Sequence, residues 1–230
     1  VMMTGADNQE LTVTVTQPNG SKTDPTQKDD TQDADEAEDD ADAPQTDTAL
    51  RFSDVPRTFW GYDVIERAAE LGLAGGFPDG TFRPNAGVTR AQFVQMLWNL
   101  AGKPAATQTA AFTDVPADAW YGAALRWAVE AGVAGGVGGG RFDPNGGVTR
   151  QQAMAMLFRY SGGQSGAEAL FGSVYDAHYT DSSTIADWAK PAVYWAVFHE
   201  ILSGAGDGRL APGAAATRAQ VAAIFLRYMD

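Results

Sequence analysis

From Phe52 onward one pattern runs through the chain three times, and internal repetition at that period limits the architecture before any single residue does. Phe52-Ser53-Asp54 opens the first copy, Phe112-Thr113-Asp114 the second and Tyr179-Thr180-Asp181 the third. A tryptophan follows in each (Trp60, Trp120, Trp188), then a glycine sixteen residues later (Gly76, Gly136, Gly204). An apolar-x-Pro triplet comes next, at Phe82-Arg83-Pro84, Phe142-Asp143-Pro144 and Leu210-Ala211-Pro212. Every copy closes on Thr-Arg-x-Gln, starting at Thr89, Thr149 and Thr217, and runs into an apolar stretch. A lone repeat of about fifty residues buries only ~60% of its unfolded surface and is marginal by itself. Three together are large enough to share a core, so the triplet reads as one folding unit with a single thermal transition.

Within each copy the spacing predicts helix, loop, helix. Ile65, Ala68 and Ala69 fall at i, i+3, i+4, as do Leu125, Ala128 and Val129, and Val193, Ala196 and Val197; each set makes one buried helix face. Pro191 fits a first turn, where its missing N–H costs least. Gly72 and Gly132 fit the left-handed position after a helix; the third copy has Glu200 there. For the second helix, Thr89, Thr149 and Thr217 are N-caps, and the Gln three residues on completes a capping box. The apolar stripe behind each cap is Phe93, Met96, Leu97, Leu100, then Ala153, Met156, Leu157, Tyr160, then Val221, Ile224, Phe225, Tyr228. At ~1.5–3 kcal/mol per buried large side chain, three such stripes meeting together can hold a bundle. Between the helices, Asp79-Gly80, the glycines at 138–140 and Asp207-Gly208 suggest a small irregular hairpin.

The net charge of −13 sits mostly outside the repeats. Residues 24–47 hold eleven acids and one lysine, whereas residues 48–230 hold sixteen acids against fourteen bases. No basic patch exists to attract nucleic acid, so that partner class is disfavoured. Residues 21–49, acidic and without an aromatic, read as a disordered, extended linker. Leu11, Val13 and Val15 alternate with threonines and stop at Pro18-Asn19-Gly20, the pattern of a strand entering a turn. Residues 1–20 are therefore expected to be the end of an upstream β-rich domain. The chain has no cysteine, no apolar run long enough for a membrane span and no visible signal peptide. An export signal is expected upstream, with this chain the C-terminal part of something longer.

The combination Phe-x-Asp-Val, Trp, Gly-x-x-x-Gly, Phe-x-Pro and Thr-Arg-Ala-Gln resembles the S-layer homology (SLH) family, over roughly residues 52–230. The resemblance divides the chain into repeats at 50–104, 110–163 and 177–230. It implies an all-α domain in which three repeats form a pseudo-threefold bundle, second helices gathered near the axis and ligand grooves between neighbours. It also implies an extracellular, non-covalent anchor in a bacterial cell wall or S-layer, binding a secondary cell-wall polysaccharide whose pyruvylated amino sugar bears a carboxylate. Three departures stand out: Gln92, Gln152 and Gln220 replace a common acid, the second copy has three glycines at its turn, and the third lacks Val-Pro and carries Glu200.

Arg90, Arg150 and Arg218 are the sharpest site candidates. Each follows an N-cap, where free helix N–H groups and a planar two-pronged guanidinium could together receive an anion. Replacing them by alanine is expected to weaken binding, more at Arg90 and Arg150 than at Arg218, while leaving the melting temperature almost intact. Asp54, Asp114 and Asp181 read either as acceptors for sugar hydroxyls or as turn caps. Trp60, Trp120 and Trp188 offer an apolar face to a sugar ring or a place in the core. Gly76, Gly136 and Gly204 allow close approach of a ligand or of the chain itself.

Signs of catalysis are poor. His178 and His199 are not repeated and have no serine nucleophile beside them, no metal-ligand spacing occurs, and no two acids stand out as a glycosidase pair. The expectation is a binding module, not an enzyme, without cofactor or metal. Its rivals are a subunit that self-associates in a surface lattice through a missing upstream region, the anchor of a larger exported hydrolase, and a binder of modified peptidoglycan.

Overall fold

A computed structural model describes residues 50–163 and 178–230. The expected upstream strand, the acidic linker and most of the second inter-repeat linker lie outside the described residues. Among those described, the secondary structure is all-helical: six α-helices, two per repeat, and no strand. They are α1 (Tyr62–Glu70), α2 (Arg90–Leu100), α3 (Gly122–Glu130), α4 (Arg150–Tyr160), α5 (Lys190–Phe198) and α6 (Arg218–Met229). Two 3-10 turns, Ser182–Thr184 and Asp187–Ala189, lead into α5.

Local chemistry acts as the pattern predicts. Thr89, Thr149 and Thr217 each accept from the backbone N–H three residues on, and Gln92, Gln152 and Gln220 reach back to the cap N–H, so all three capping boxes form. Pro191 lies in the first turn of α5. The first helices end in left-handed residues, Gly72 at φ 68° and Gly132 at φ 67°, and Glu200 adopts φ 57° although it is not glycine. Between the helices each loop makes a tight antiparallel turn without a full strand, closed by bonds such as Phe77 N–H to the Thr81 carbonyl at 2.7 Å. Single bridges, Gly138 with Arg141 and Gly206 with Arg209, mark the same turn in the other copies. The linker after α2 is pinned: the Trp98 indole donates to the Pro104 carbonyl, and the Glu130 carboxylate accepts from Thr107 N–H, Thr107 hydroxyl and Gln108 N–H.

Helices pack between repeats. α2 packs on α3, α4 on α5, and α6 returns to α1, so the third repeat closes on the first. At the closure, Val88 N–H donates to the Ala216 carbonyl, Ala216 N–H to Val148 and Val148 N–H to Val88, each at 2.9 Å. Three extended residues, one from each Val/Ala-Thr cap, thus complete a ring of backbone bonds that no single repeat can form. Val88, Val148 and Ala216 are fully buried, together with Phe82, Phe93, Phe142 and Phe225. Phe93 and Phe225, from α2 and α6, meet edge to face at 5.6 Å. The core is continuous across the three copies, as a shared folding unit requires.

Candidate functional site

Three clefts lie where repeats meet, and each draws on all three copies. The first contains Arg90 from the first repeat, Gly135, Gly136 and Gln152 from the second, and Trp188 from the third. The second contains Arg150, then Gly204 and Gln220, then Trp60. The third contains Arg218, then Gly75, Gly76 and Gln92, then Trp120. Their volumes are about 510, 350 and 230 Å³. The site residues of one number-for-number copy therefore do not share a cleft; the ring permutation distributes them.

The arginines are stapled across the interfaces. Arg90 donates through Nε to the Phe142 carbonyl at 2.9 Å and through Nη2 to Gly135 at 2.7 Å. Arg150 does the same to Leu210 and Ser203, both at 2.8 Å. Arg218 closes the ring on Phe82 at 2.7 Å and Gly75 at 2.6 Å. Arg150 and Arg218 are buried, Arg90 half-buried. Burial pulls all three guanidinium values down from the usual arginine range, yet an arginine stays protonated at neutral pH.

These contacts correct the helix-terminus reading. The first-turn N–H groups are not free: Arg90 N–H donates to Gly146 and Ala91 N–H to Pro144, with the same pairs at Arg150 to Ala214, Gln151 to Pro212, Arg218 to Ala86 and Ala219 to Pro84. The third N–H is taken by the threonine cap. A loop of the neighbouring repeat occupies the place reserved for an anion. The arginines line the clefts with their guanidinium groups already bonded to two carbonyls of the neighbouring repeat, so the same side chains serve the fold as well as the cleft.

Asp54, Asp114 and Asp181 act on their own loops. Both carboxylate oxygens of Asp54 accept backbone N–H bonds, from Phe82 and Arg83 at 2.7 Å each. Asp114 holds Phe142 and Asp143 at 2.8 Å, and Asp181 holds Leu210 and Ala211 at 2.8 and 2.9 Å. The second residue of each pair is left-handed, with φ 59° at Arg83, 59° at Asp143 and 50° at Ala211. The carboxylate thus fixes the strained turn whose carbonyl is gripped by the arginine of the preceding repeat in the ring. Burial raises the Asp114 and Asp181 values, but the two backbone bonds and a nearby arginine outweigh it and hold both below the usual carboxylate range.

The glycines are explained by close packing. A Cβ on Gly76 would stand 2.5 Å from Phe52 Cε1 and 2.8 Å from the Thr81 carbonyl; on Gly136, 2.8 Å from the Arg141 carbonyl and 2.9 Å from Phe112 Cε1. Gly204 is looser, at 3.1 Å from the Arg209 carbonyl. The glycine lets the loop lie against the aromatic that opens each repeat, and its backbone then floors the cleft.

The tryptophans are outside the core. Trp60, Trp120 and Trp188 are 61%, 64% and 56% exposed, which settles the choice between packing and surface in favour of the surface. Two further positions line the clefts that the sequence reading did not assign to a site. One is the capping-box glutamine. The other lies ten residues after the capping threonine, at Asn99, Arg159 and Arg227. Its signal was available: it stands on the second helix at one register in all three copies, on the side of Met96, Met156 and Ile224.

No group of three or more histidines, cysteines or carboxylates able to hold a metal occurs among the described residues, and no helix there is long and apolar enough to cross a membrane. The S-layer homology domain family matches at residues 51–94, 111–154 and 178–222. The chain is 33% identical over 180 residues to an amylopullulanase of Thermoanaerobacterium thermosulfurigenes, covering 78% of this chain and 9% of that protein. It is 34% identical over 176 residues to an endoglucanase of Bacillus sp. (strain KSM-635), covering 76% and 18%. It is 30% identical over 171 residues to the surface-layer 125 kDa protein of Lysinibacillus sphaericus, covering 73% and 14%. The chain thus spans less than a fifth of the length of these relatives.

Proposed function

The chain belongs to the S-layer homology family, and from that membership we propose that residues 50–230 are a cell-surface anchoring module that binds an anionic wall polysaccharide without covalent attachment. The observation that carries the reading is the composition of the clefts. Each combines an exposed tryptophan, an arginine already locked in place, and a glycine floor, and no carboxylate lines any of the three. A flat apolar ring beside a fixed cation suits a sugar that bears an acidic substituent, such as a pyruvylated amino sugar. Several clefts on one rigid body gain from effective concentration along a repetitive polymer, so modest affinities at each suffice for retention.

The same reading places the protein on the outside of a bacterium, holding whatever domain precedes the repeats. Relatives named as an amylopullulanase, an endoglucanase and a surface-layer protein share this region over a small part of their length, which supports an anchor interchangeable among cargoes. It assigns no catalysis to residues 50–230: the repeated acids Asp54, Asp114 and Asp181 are bound to backbone N–H groups and do not face one another across a cleft. Co-sedimentation tests the proposal. The chain is expected to pellet with bacterial walls that retain their secondary polymer and to stay in solution with walls from which it has been stripped. Equal binding to stripped walls would move the ligand to peptidoglycan, and pelleting without walls would favour lattice self-association.

A further inference from the structure

The position ten residues after each capping threonine performs one structural duty in all three repeats. Asn99 Nδ2 donates to the Leu73 carbonyl at 3.2 Å, Arg159 Nη1 to Val133 at 3.4 Å, and Arg227 Nη1 to Ile201 at 3.5 Å and to Ser203 Oγ at 3.0 Å. These carbonyls follow the left-handed residue that ends the first helix, so the side chain clamps the helix exit. The first repeat does this with a neutral amide. The charge on Arg159 and Arg227 is therefore not needed for the clamp.

That charge falls in the clefts. Arg159 joins Arg90 in the 510 Å³ cleft, and Arg227 joins Arg150 in the 350 Å³ cleft; neither has a lining carboxylate. Arg218 shares its 230 Å³ cleft with Asn99 instead. Arg83 approaches Arg218 from outside that cleft, but it is paired with Asp79 at 2.8 Å and is not part of the lining. Two like charges in one cleft repel each other, and Arg227 indeed works against the protonated form of Arg150. Asp114 and Asp143 act on Arg90, and Asp181 on Arg150, from the loops behind, but no carboxylate lines either paired cleft, so its open side is left for an anionic ligand to fill.

We propose that the clefts are unequal: the two arginine-paired clefts, Arg90 with Arg159 and Arg150 with Arg227, are the strong sites for the acidic group of the glycan, and the Arg218–Asn99 cleft is a weak one. Arg159 and Arg227 are the specificity-determining residues of the two strong clefts, because they can bridge a carboxylate or phosphate that the stapled arginine alone meets on one edge. The proposal rests on the anchoring reading above and says which clefts carry it.

The test is calorimetric titration of the full chain with two probes, a methyl glycoside of a pyruvylated amino sugar for a glycan carboxylate and a short glycerol phosphate oligomer for a wall phosphate. Two strong sites are expected for whichever probe carries the right group, with affinity falling as salt rises. Arg159→Asn and Arg227→Asn copy the native clamp of the first repeat. Each is expected to weaken one site ten- to a hundredfold with an unchanged melting temperature, Arg→Lys to recover part of that loss, and Asn99→Arg to raise the count to three. Three equal sites in the native chain, or full affinity in the double asparagine variant, would overturn the inequality while leaving the anchor intact. Failure of the native chain to bind either probe at low salt, with wall binding retained, would overturn the assignment of an acidic group to these clefts. Failure to bind probes and walls alike would remove the anchoring reading with it.

Discussion

Arg218→Ala should be the most damaging of the three arginine replacements to the fold, because it opens the one interface no linker spans. The first and second repeats are joined by chain, and so are the second and third, but the third meets the first only through contacts. Arg218 supplies two of the shortest, to carbonyls 136 and 143 residues away, at 2.7 and 2.6 Å. Its guanidinium also lies 4.5 Å from the Phe82 ring centre and 4.9 Å from that of Phe77. Hydrogen bonds from a charged donor are worth about 1.5–3 kcal/mol each, and the stacking adds ~0.5–1 kcal/mol. Water entering the cleft restores part of the loss at the Gly75 carbonyl, so about 3–4 kcal/mol is the expected net cost. At roughly 2–4 °C per kcal/mol for a domain of this size, the midpoint should fall by about 6–16 °C. Thermal denaturation followed by far-UV circular dichroism measures it, with Arg218→Lys recovering little, since a single ammonium cannot reach both carbonyls in the fork geometry. Arg90→Ala, at a half-buried site between covalently joined repeats, should cost the least. A melt of Arg218→Ala within a degree of the native chain would refute the staple as a source of stability.

Glu200→Gly should raise stability by about 1 kcal/mol, seen as a higher denaturation midpoint, because Glu200 holds φ 57° where the other repeats use glycine. Gly76→Ala and Gly136→Ala should each destabilise by about 1–3 kcal/mol, and Gly204→Ala by less, in the order of their Cβ clearances; equal losses at all three would contradict the packing argument. The depressed values of Asp114 and Asp181 set the acid response. Their stabilisation is complete above the unfolded carboxylate value of ~3.9 and is lost as pH falls through the folded values, so the melting temperature should be steady from neutral pH to about 5 and drop below about 4. Asp114→Asn with Asp181→Asn should start lower at neutral pH and lose less on acidification.

The elements were legible because their signals are local. Caps, glutamines and apolar stripes lie within four residues of each other, and the periodicity of Phe93, Met96, Leu97 and its counterparts marks the buried face directly. The partners of Arg90, Arg150 and Arg218 were not legible, because those carbonyls lie 45 to 143 residues away in another copy. A repeat tells which residues are equivalent but is silent on whether each copy serves itself or its neighbour. For the same reason the helix termini read as free, when a loop of the next repeat was already bound there. Asp54 and its counterparts looked ambiguous in sequence since capping and ligand binding ask for the same carboxylate; only the two backbone bonds at each distinguish them. Arg159 and Arg227 went unnoticed because Asn99 breaks the pattern at their position.

That break is informative once the clamp is seen. Residues repeated in all three copies, such as the capping threonines, the stapling arginines and the loop aspartates, are the ones that start the second helices, join the repeats and fix the turns that the arginines grip. They are constrained three times over by the same geometry. A position that keeps its hydrogen bond but changes its charge, as Asn99, Arg159 and Arg227 do, satisfies the ring either way. The ring therefore leaves the charge there unspecified, and what remains to specify it is the cleft that the side chain lines. Symmetry identifies what the fold needs, and the departures from symmetry that cost the fold nothing identify where the clefts have been tuned apart.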